Sequence, residues 1–456
     1  MARLFHKNGY MQIREVPSPS SALLSFKASN VRSYRDEVEF SLLATRLAHE
    51  DVVRDLTTGS SKTPTGVLPA AVVFGANASG KSALLFAIAD MRSIVASSFR
   101  GGSRSSGIYR RPFALDDAYQ SLPSRFEVEL VLEGVRWQYG FEVTDELVVG
   151  EYAYHYPKGR QALVFDRSKD DVTFGPWFRS AGRRLEPLLR ANSLLLSVAG
   201  AADDQQVGPL FQWFLRNLLL AQAANRGGRA ARTAELVKDP QSKERVMSLV
   251  RAADLGVCDI ERASVDPEVA ERLQRALRVL EGEEGDPDTS DSDTNIVFAD
   301  TVRLKHRGAS GDVDLDPEFE SEGTMVWVGL IGPVLDALDG GHVLLADELD
   351  SSLHPHLVSI LVEMFQNPQL NTRCAQLVFN AHDVNVLGDS EQVNLGRDQI
   401  WFANKDHQGA TAIFPLVDFR PRRDEALARR YLQGRFGAVP VVDPGEIRAG
   451  LDLVDS

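Results

Sequence analysis

Two cysteines, Cys258 and Cys374, are all that the 456 residues contain, and they form no CxxC pair. That scarcity excludes a zinc ribbon or a disulfide-stapled fold and fits a reducing compartment. Long apolar runs are missing too; none approaches the roughly twenty residues that a membrane-spanning helix needs. The stretch from Met1 to Ser21 has no apolar h-region, so it is not expected to be a secretory signal. Its Pro17-Ser18-Pro19-Ser20-Ser21 segment reads as a flexible leader, and the cytoplasm is the expected location. Basic charge is in deficit: 50 Lys and Arg against 64 Asp and Glu leave a net charge of −14. This excludes a surface coated for non-specific nucleic-acid binding, though not a local basic groove. A hydrophobic share of 43% with 25% charged residues is that of a globular chain with ample core.

One stretch organises the rest. Val72-Val73-Phe74-Gly75-Ala76-Asn77-Ala78-Ser79-Gly80-Lys81-Ser82 satisfies every specified position of the P-loop pattern GxxxxGK[ST]. The apolar run predicts a buried strand, and Ala83-Leu84-Leu85-Phe86-Ala87-Ile88 predicts the helix that follows. Gly75 and Gly80 allow the tight turn that aims successive N–H groups at a polyphosphate. In that role Lys81 reaches the β- and γ-phosphates and Ser82 ligates Mg²⁺. The expected ligands are therefore ATP and Mg²⁺, with residues 75–83 as the cradle.

Upstream, Leu23 to Ala28 and Glu37 to Leu42 predict two antiparallel strands joined at Ser29-Asn30-Val31-Arg32-Ser33-Tyr34. Downstream, Ser124–Leu132 and Trp137–Val143 predict a hairpin about Glu133-Gly134, which Glu151–Tyr156 and Ala162–Asp166 extend. From Arg184 the spacing turns helical, through Leu188, Leu194, Phe211 and Leu218 to Ser242–Leu255 and Pro267–Leu280, with Asp266 as N-cap. Residues 281–293 are acidic and nearly devoid of apolar side chains, so they predict a mobile loop without EF-hand spacing. These shifts divide the chain into a leader (1–21), a first ATPase lobe (22–183), a helical insertion (184–295) and a second lobe (296–456).

Two further apolar runs end in chemistry. Val343-Leu344-Leu345-Ala346-Asp347-Glu348 closes on two acids, as a Walker B strand does: Asp347 for the metal and Glu348 to polarise the attacking water. Gln376-Leu377-Val378-Phe379-Asn380-Ala381-His382 ends on a histidine, a side chain that can donate a hydrogen bond and sense charge near neutrality. Between the P-loop and Walker B, Ser321-Glu322-Gly323-Thr324 opens an apolar helix, so Ser321 is an N-cap, an anion site, or both.

The order of these pieces resembles the ATPase heads of the SMC, RecF and Rad50 group of ABC-type proteins. The resemblance rests on the Asn-x-Arg-Ser-aromatic turn before a G-x-N-x-x-G-K-S loop, with Asn77 at its third position. It implies an α/β P-loop NTPase head of the ABC/SMC type, in two lobes, with an inserted helical subdomain. It implies that Arg32 sits beside the nucleotide; the competing reading is a solvated turn residue. Ser321 and Gly323 resemble a degenerate signature loop that binds the γ-phosphate held by the opposite protomer. Asp350 looks like the D-loop aspartate that crosses to the partner, and His382 like the switch histidine. Gln120 and Gln138 are the candidates for a Q-loop. The ending Tyr431-Leu432-Gln433-Gly434-Arg435-Phe436-Gly437-Ala438-Val439-Pro440 is similar to bacterial AAA15-type (RloA/AbiL-like, OLD-related) ATPases. That likeness implies anti-phage defence and a Toprim/RloB-like nuclease as a separate polypeptide, since the chain ends soon after His382. The expected protein is an oligomeric ATPase that closes on ATP as a dimer or larger assembly and controls such an effector. Nucleic acid or a phage protein is a further partner to test, and no membrane partner is expected. The alternative is a RecF-like repair ATPase acting on DNA directly. The arginines near Arg110 and in the tail from Arg420 to Arg435 fit either a phosphate contact or a solvated face.

Overall fold

Ala70–Phe74 is a strand buried on both faces, which is why its sequence shows no alternation. It lies inside a six-stranded sheet ordered Leu218–Ala221, Val343–Ala346, Gln376–Asn380, Ala70–Phe74, Ile400–Lys405, Thr411–Pro415. The first five strands run parallel and the last returns antiparallel. The structure is a computed structural model and describes residues 21–48, 51–56, 58, 64–99, 107–222, 226–263, 301–387, 395–422, 426–440 and 443–452. The predicted Pro267–Leu280 helix, the acidic stretch 281–293 and nearly all of the leader lie outside these residues.

The parallel sheet separates two apolar cores. Ala71 and Val73 face the P-loop helix Lys81–Ser97 and a seven-stranded antiparallel sheet. Val72 and Phe74 face the opposite way, toward the helices Glu322–Gly340 and Pro355–Gln366. The antiparallel sheet holds the predicted strands, with Ser21–Ser29 between Val38–Ser41 and Ser124–Leu132. Glu133 and Gly134 both take positive φ (51° and 73°), the turn whose twist matches a hairpin.

One expectation is corrected. The apolar run continuing the helix past Asn217 leaves it at Leu218 and pairs in parallel with the Walker B strand. Four apolar residues in a row carry neither period, so a short buried strand and a buried helix end look alike. The stretch 184–295 is therefore not purely a helical insertion; it also supplies an edge strand of the central sheet.

The tail motif is packing. Rings of Tyr431 and Phe436 stack on Phe402 at 5.6 and 5.4 Å, and Tyr431 Oη donates to the Ala438 carbonyl. Gln376 stitches the two sheets together by bonding both the N–H and the carbonyl of Leu23.

Beneath the antiparallel sheet lies a buried ion pair. Glu151, wholly buried, accepts from the N–H groups of Leu195 and Leu196 and from Tyr139 Oη. Burial pushes its carboxyl pKa up, while Arg167 at 3.8 Å and the two amides oppose that shift. Arg167 also donates to the carbonyls of Lys169, Arg190 and Ser193. Replacing Arg167 with methionine strands a buried carboxylate and three carbonyls, at an expected cost of about 3–5 kcal/mol. Urea unfolding monitored by circular dichroism measures it; a loss below about 1 kcal/mol means that the pair is dispensable.

Candidate functional site

The carboxyl ends of the Walker B, His382 and P-loop strands lie side by side, because their registers place Ala346 opposite Phe379 and Phe379 opposite Val72. Sites of open α/β sheets form at such ends. Here a cavity of about 720 Å³ is lined by Asn77 through Ala83, with Glu348, Ser351, His382 and Lys405.

The P-loop takes its shape from steric demands. At Gly75, a Cβ would strike the Ala403 carbonyl and Ser79 Oγ; at Gly80, φ is 97° and a Cβ would strike Thr411. Thr411 Oγ1 lies 2.9 Å from both the Ser79 carbonyl and Ser33 Oγ, and Tyr34 Oη donates to the Gly80 carbonyl. The Asn30–Tyr34 turn thus braces the loop from behind. Lys81 is 5% exposed, and its ammonium donates to the carbonyls of Gly75 (2.8 Å) and Ala76 (2.9 Å). Burial lowers its pKa, while Asp350, Glu348 and Asp347 pull it back up and so favour the cation.

Asp347 is buried below the cavity and Glu348 is exposed in it. Asn380, which the sequence analysis passed over, ties them together. Its Nδ2 donates to Asp347 Oδ1 (2.6 Å) and Ser82 Oγ (3.0 Å), and its Oδ1 accepts the Glu348 N–H. A polar residue closing an apolar strand two places before the histidine was the available signal. Ser82 and Asp347 thus present a hydroxyl and a carboxylate around one amide nitrogen. This hard-oxygen donor pair fits Mg²⁺.

Other expected residues are placed elsewhere. The Arg32 guanidinium binds Asp90 through two hydrogen bonds of 2.6 and 2.8 Å and lies over the Phe86 ring, along the P-loop helix and outside the cavity lining. Arg32→Ala is expected to cost about 1–3 kcal/mol of stability. The ATP concentration for half-maximal turnover should stay within about twofold; a tenfold rise would put Arg32 beside the nucleotide. Asp350 Oδ2 accepts from the backbone N–H groups of His382 and Asp383, both at 2.6 Å, so within one chain it fastens the histidine turn. Ser321 caps the helix Glu322–Gly340 by accepting from the Thr324 N–H, and Gly323 abuts the Ser352 carbonyl. Both lie outside the cavity lining. Gln120 bonds the Phe113 carbonyl and Gln138 bonds Tyr156; neither lines the cavity.

A parallel sheet carrying a P-loop, with a strand that ends in two acids next but one to it, defines a P-loop ATPase domain. The family model described as "AAA domain, putative AbiEii toxin, Type IV TA system" matches residues 70–388, and the chain belongs to that family. Among solved structures, the chain is similar in fold to the SMC head domain from Thermotoga maritima (11% identity, TM-score 0.37, covering 86% of this chain and 98% of that one). It is likewise similar to an SmcHead bound to the C-winged helix domain of ScpA (11%, 0.36, 86% and 96%). A third is an Smc head domain with an extended coiled coil bound to the C-terminal domain of ScpA from Pyrococcus furiosus (11%, 0.36, 88% and 98%). No curated protein matches the chain. Among the described residues no helix is long and apolar enough to cross a membrane.

Proposed function

We propose that this chain is a magnesium-dependent ATPase switch that clamps ATP between two copies of itself, splits it, and thereby controls a separate effector. The observation that carries the proposal is the convergence of Lys81, Ser82, Glu348 and His382 on one cavity, with Asp347 fastened beneath it. Backbone N–H groups of residues 75–82 cradle the polyphosphate at a helix N-terminus. Lys81 leaves its own loop's carbonyls to neutralise the β- and γ-phosphates. Glu348 takes a proton from the attacking water, and His382 donates to the γ-phosphate. Ser82 and Asp347 would hold Mg²⁺, which would supply positive charge against the phosphates as negative charge develops on them. Ser321 and Gly323 are assigned to the partner's nucleotide, an assignment supported by their position outside the chain's own cavity lining. Asp350 is assigned to the joint between the subunits, acting through the His382 turn that it fastens. Losing the γ-phosphate then loosens the pair.

The effector assigned to this switch is a Toprim-type nuclease in anti-phage defence. Its support is the tail resemblance, along with a family description that names a toxin–antitoxin system. Phosphate release from the purified full chain, with ATP and either Mg²⁺ or EDTA, tests the core of the proposal, with mass followed by light scattering. Mg²⁺-dependent release and an ATP-dependent rise in mass are expected; absence of both overturns it. Salt-sensitive DNA binding with DNA-stimulated hydrolysis would favour the DNA-directed alternative instead.

A further inference from the structure

We propose that Asn380 is a positioning residue whose single side-chain amide sets the geometry of the reactive floor. It spaces the two oxygens that hold the metal and fixes the backbone bend that presents Glu348. The proposal rests on the ATPase reading of the same cavity and assigns the control of its geometry.

Asn380 ends the strand Gln376–Asn380, and its partner across the sheet in the P-loop strand is Val73. It is 0% exposed. Every polar atom of the buried amide is engaged: one Nδ2 hydrogen with Asp347 Oδ1, the other with Ser82 Oγ, and Oδ1 with the Glu348 N–H. A buried amide is costly unless it is satisfied, and an apolar side chain of similar size would leave three groups unpaired. The identity of the residue is therefore explained by what it holds.

The hold on Glu348 has a second consequence. Glu348 has φ of 51°, in the left-handed region that residues with a Cβ seldom enter. Backbone in such a conformation persists where the surroundings over-determine it, and such sites cluster at reactive positions. The hydrogen bond from Asn380 supplies one of those determinants. The amide is planar and short, so the Ser82 hydroxyl, the Asp347 carboxylate and the Glu348 main chain cannot drift independently. Ser82 lies 298 residues from Asn380 in the chain, and Asp347, next to Glu348, lies 33 residues from it. A residue that merely capped the sheet would affect stability and nothing else.

Hydrogen exchange of the nucleotide-free full chain, read by mass spectrometry on the segment around residues 346–352, tests the backbone half. Asn380→Ala is expected to speed exchange of the Glu348 amide about tenfold or more. Asn380→Asp, which keeps the acceptor, should leave that amide protected. A magnesium titration tests the other half. In Asn380→Ala the half-saturating Mg²⁺ concentration should rise about 10- to 100-fold, the usual effect of removing a partner of a metal ligand, while ATP binding in EDTA stays within about twofold. Asn380→Asp cannot donate to Asp347 or Ser82, so its turnover should fall about tenfold or more despite the protected amide. A folded Asn380→Ala with unchanged exchange and an unchanged magnesium requirement overturns the proposal, even if the wild type hydrolyses ATP. Should Asn380→Ala not fold, wild-type turnover or an unprotected Glu348 amide in Asn380→Asp overturns it. Wild-type protein that releases no phosphate, combined with faster exchange in Asn380→Ala, would sink the ATPase reading while leaving the hold on Glu348 standing.

Discussion

Lys81→Ala is expected to abolish measurable hydrolysis while leaving the fold intact. Lys81 emerges from the first turn of the P-loop helix, almost wholly buried, with its ammonium resting on the carbonyls of Gly75 and Ala76. A cation in such a water-poor site acts on developing phosphate charge at a low effective dielectric, where it is worth far more than in water. Deleting one such group costs about 100- to 1000-fold in turnover. Arginine is not a substitute, because its wide planar fork cannot occupy the narrow space between two carbonyls that an ammonium fills. Phosphate release over hours, alongside a thermal unfolding curve, checks the prediction. Turnover within tenfold of wild type, with normal folding, would take Lys81 out of the phosphate's reach.

Glu348→Gln is expected to separate holding ATP from splitting it. Glutamine matches the shape of glutamate and keeps the main-chain N–H that Asn380 accepts, so the cavity's form should persist. What it loses is the carboxylate able to accept a proton from water. A general base contributes about 100- to 10,000-fold, so hydrolysis should fall by that much while ATP stays bound. If the nucleotide joins two copies, the variant should then accumulate as the ATP-bound assembly, visible by light scattering as a stable doubling or more of mass. Unchanged hydrolysis would remove Glu348 from its role. Lost hydrolysis without any change in mass would separate chemistry from assembly.

The residues legible in the sequence were those whose role depends on local order. A P-loop encodes its own backbone path, so spacing alone located Gly75 to Ser82. Walker B and the histidine strand were legible because an apolar run that stops on a polar residue marks where a buried strand meets a site. Partnerships across the chain were not legible. Arg32 reads equally well as a nucleotide contact or a turn residue, since nothing local says that Asp90, 58 residues on, will take its guanidinium. Asn380 hid for the same reason: its partner Ser82 is 298 residues away. Leu218 to Ala221 was misread because an edge strand of four apolar residues has no period to display, and only the neighbouring Walker B strand makes it a strand.

The brace behind the P-loop carries a consequence for biosynthesis. Ser33 and Thr411 meet behind the glycine loop although 378 residues separate them. The segment that starts the loop's support is made first, and the one that finishes it is made 378 residues later. A nascent or prematurely terminated product lacking the hairpin 400–415 thus has the nucleotide motif but not its rear wall. Such fragments should be poor ATP competitors, and the motif becomes a working pocket only once that hairpin has been made.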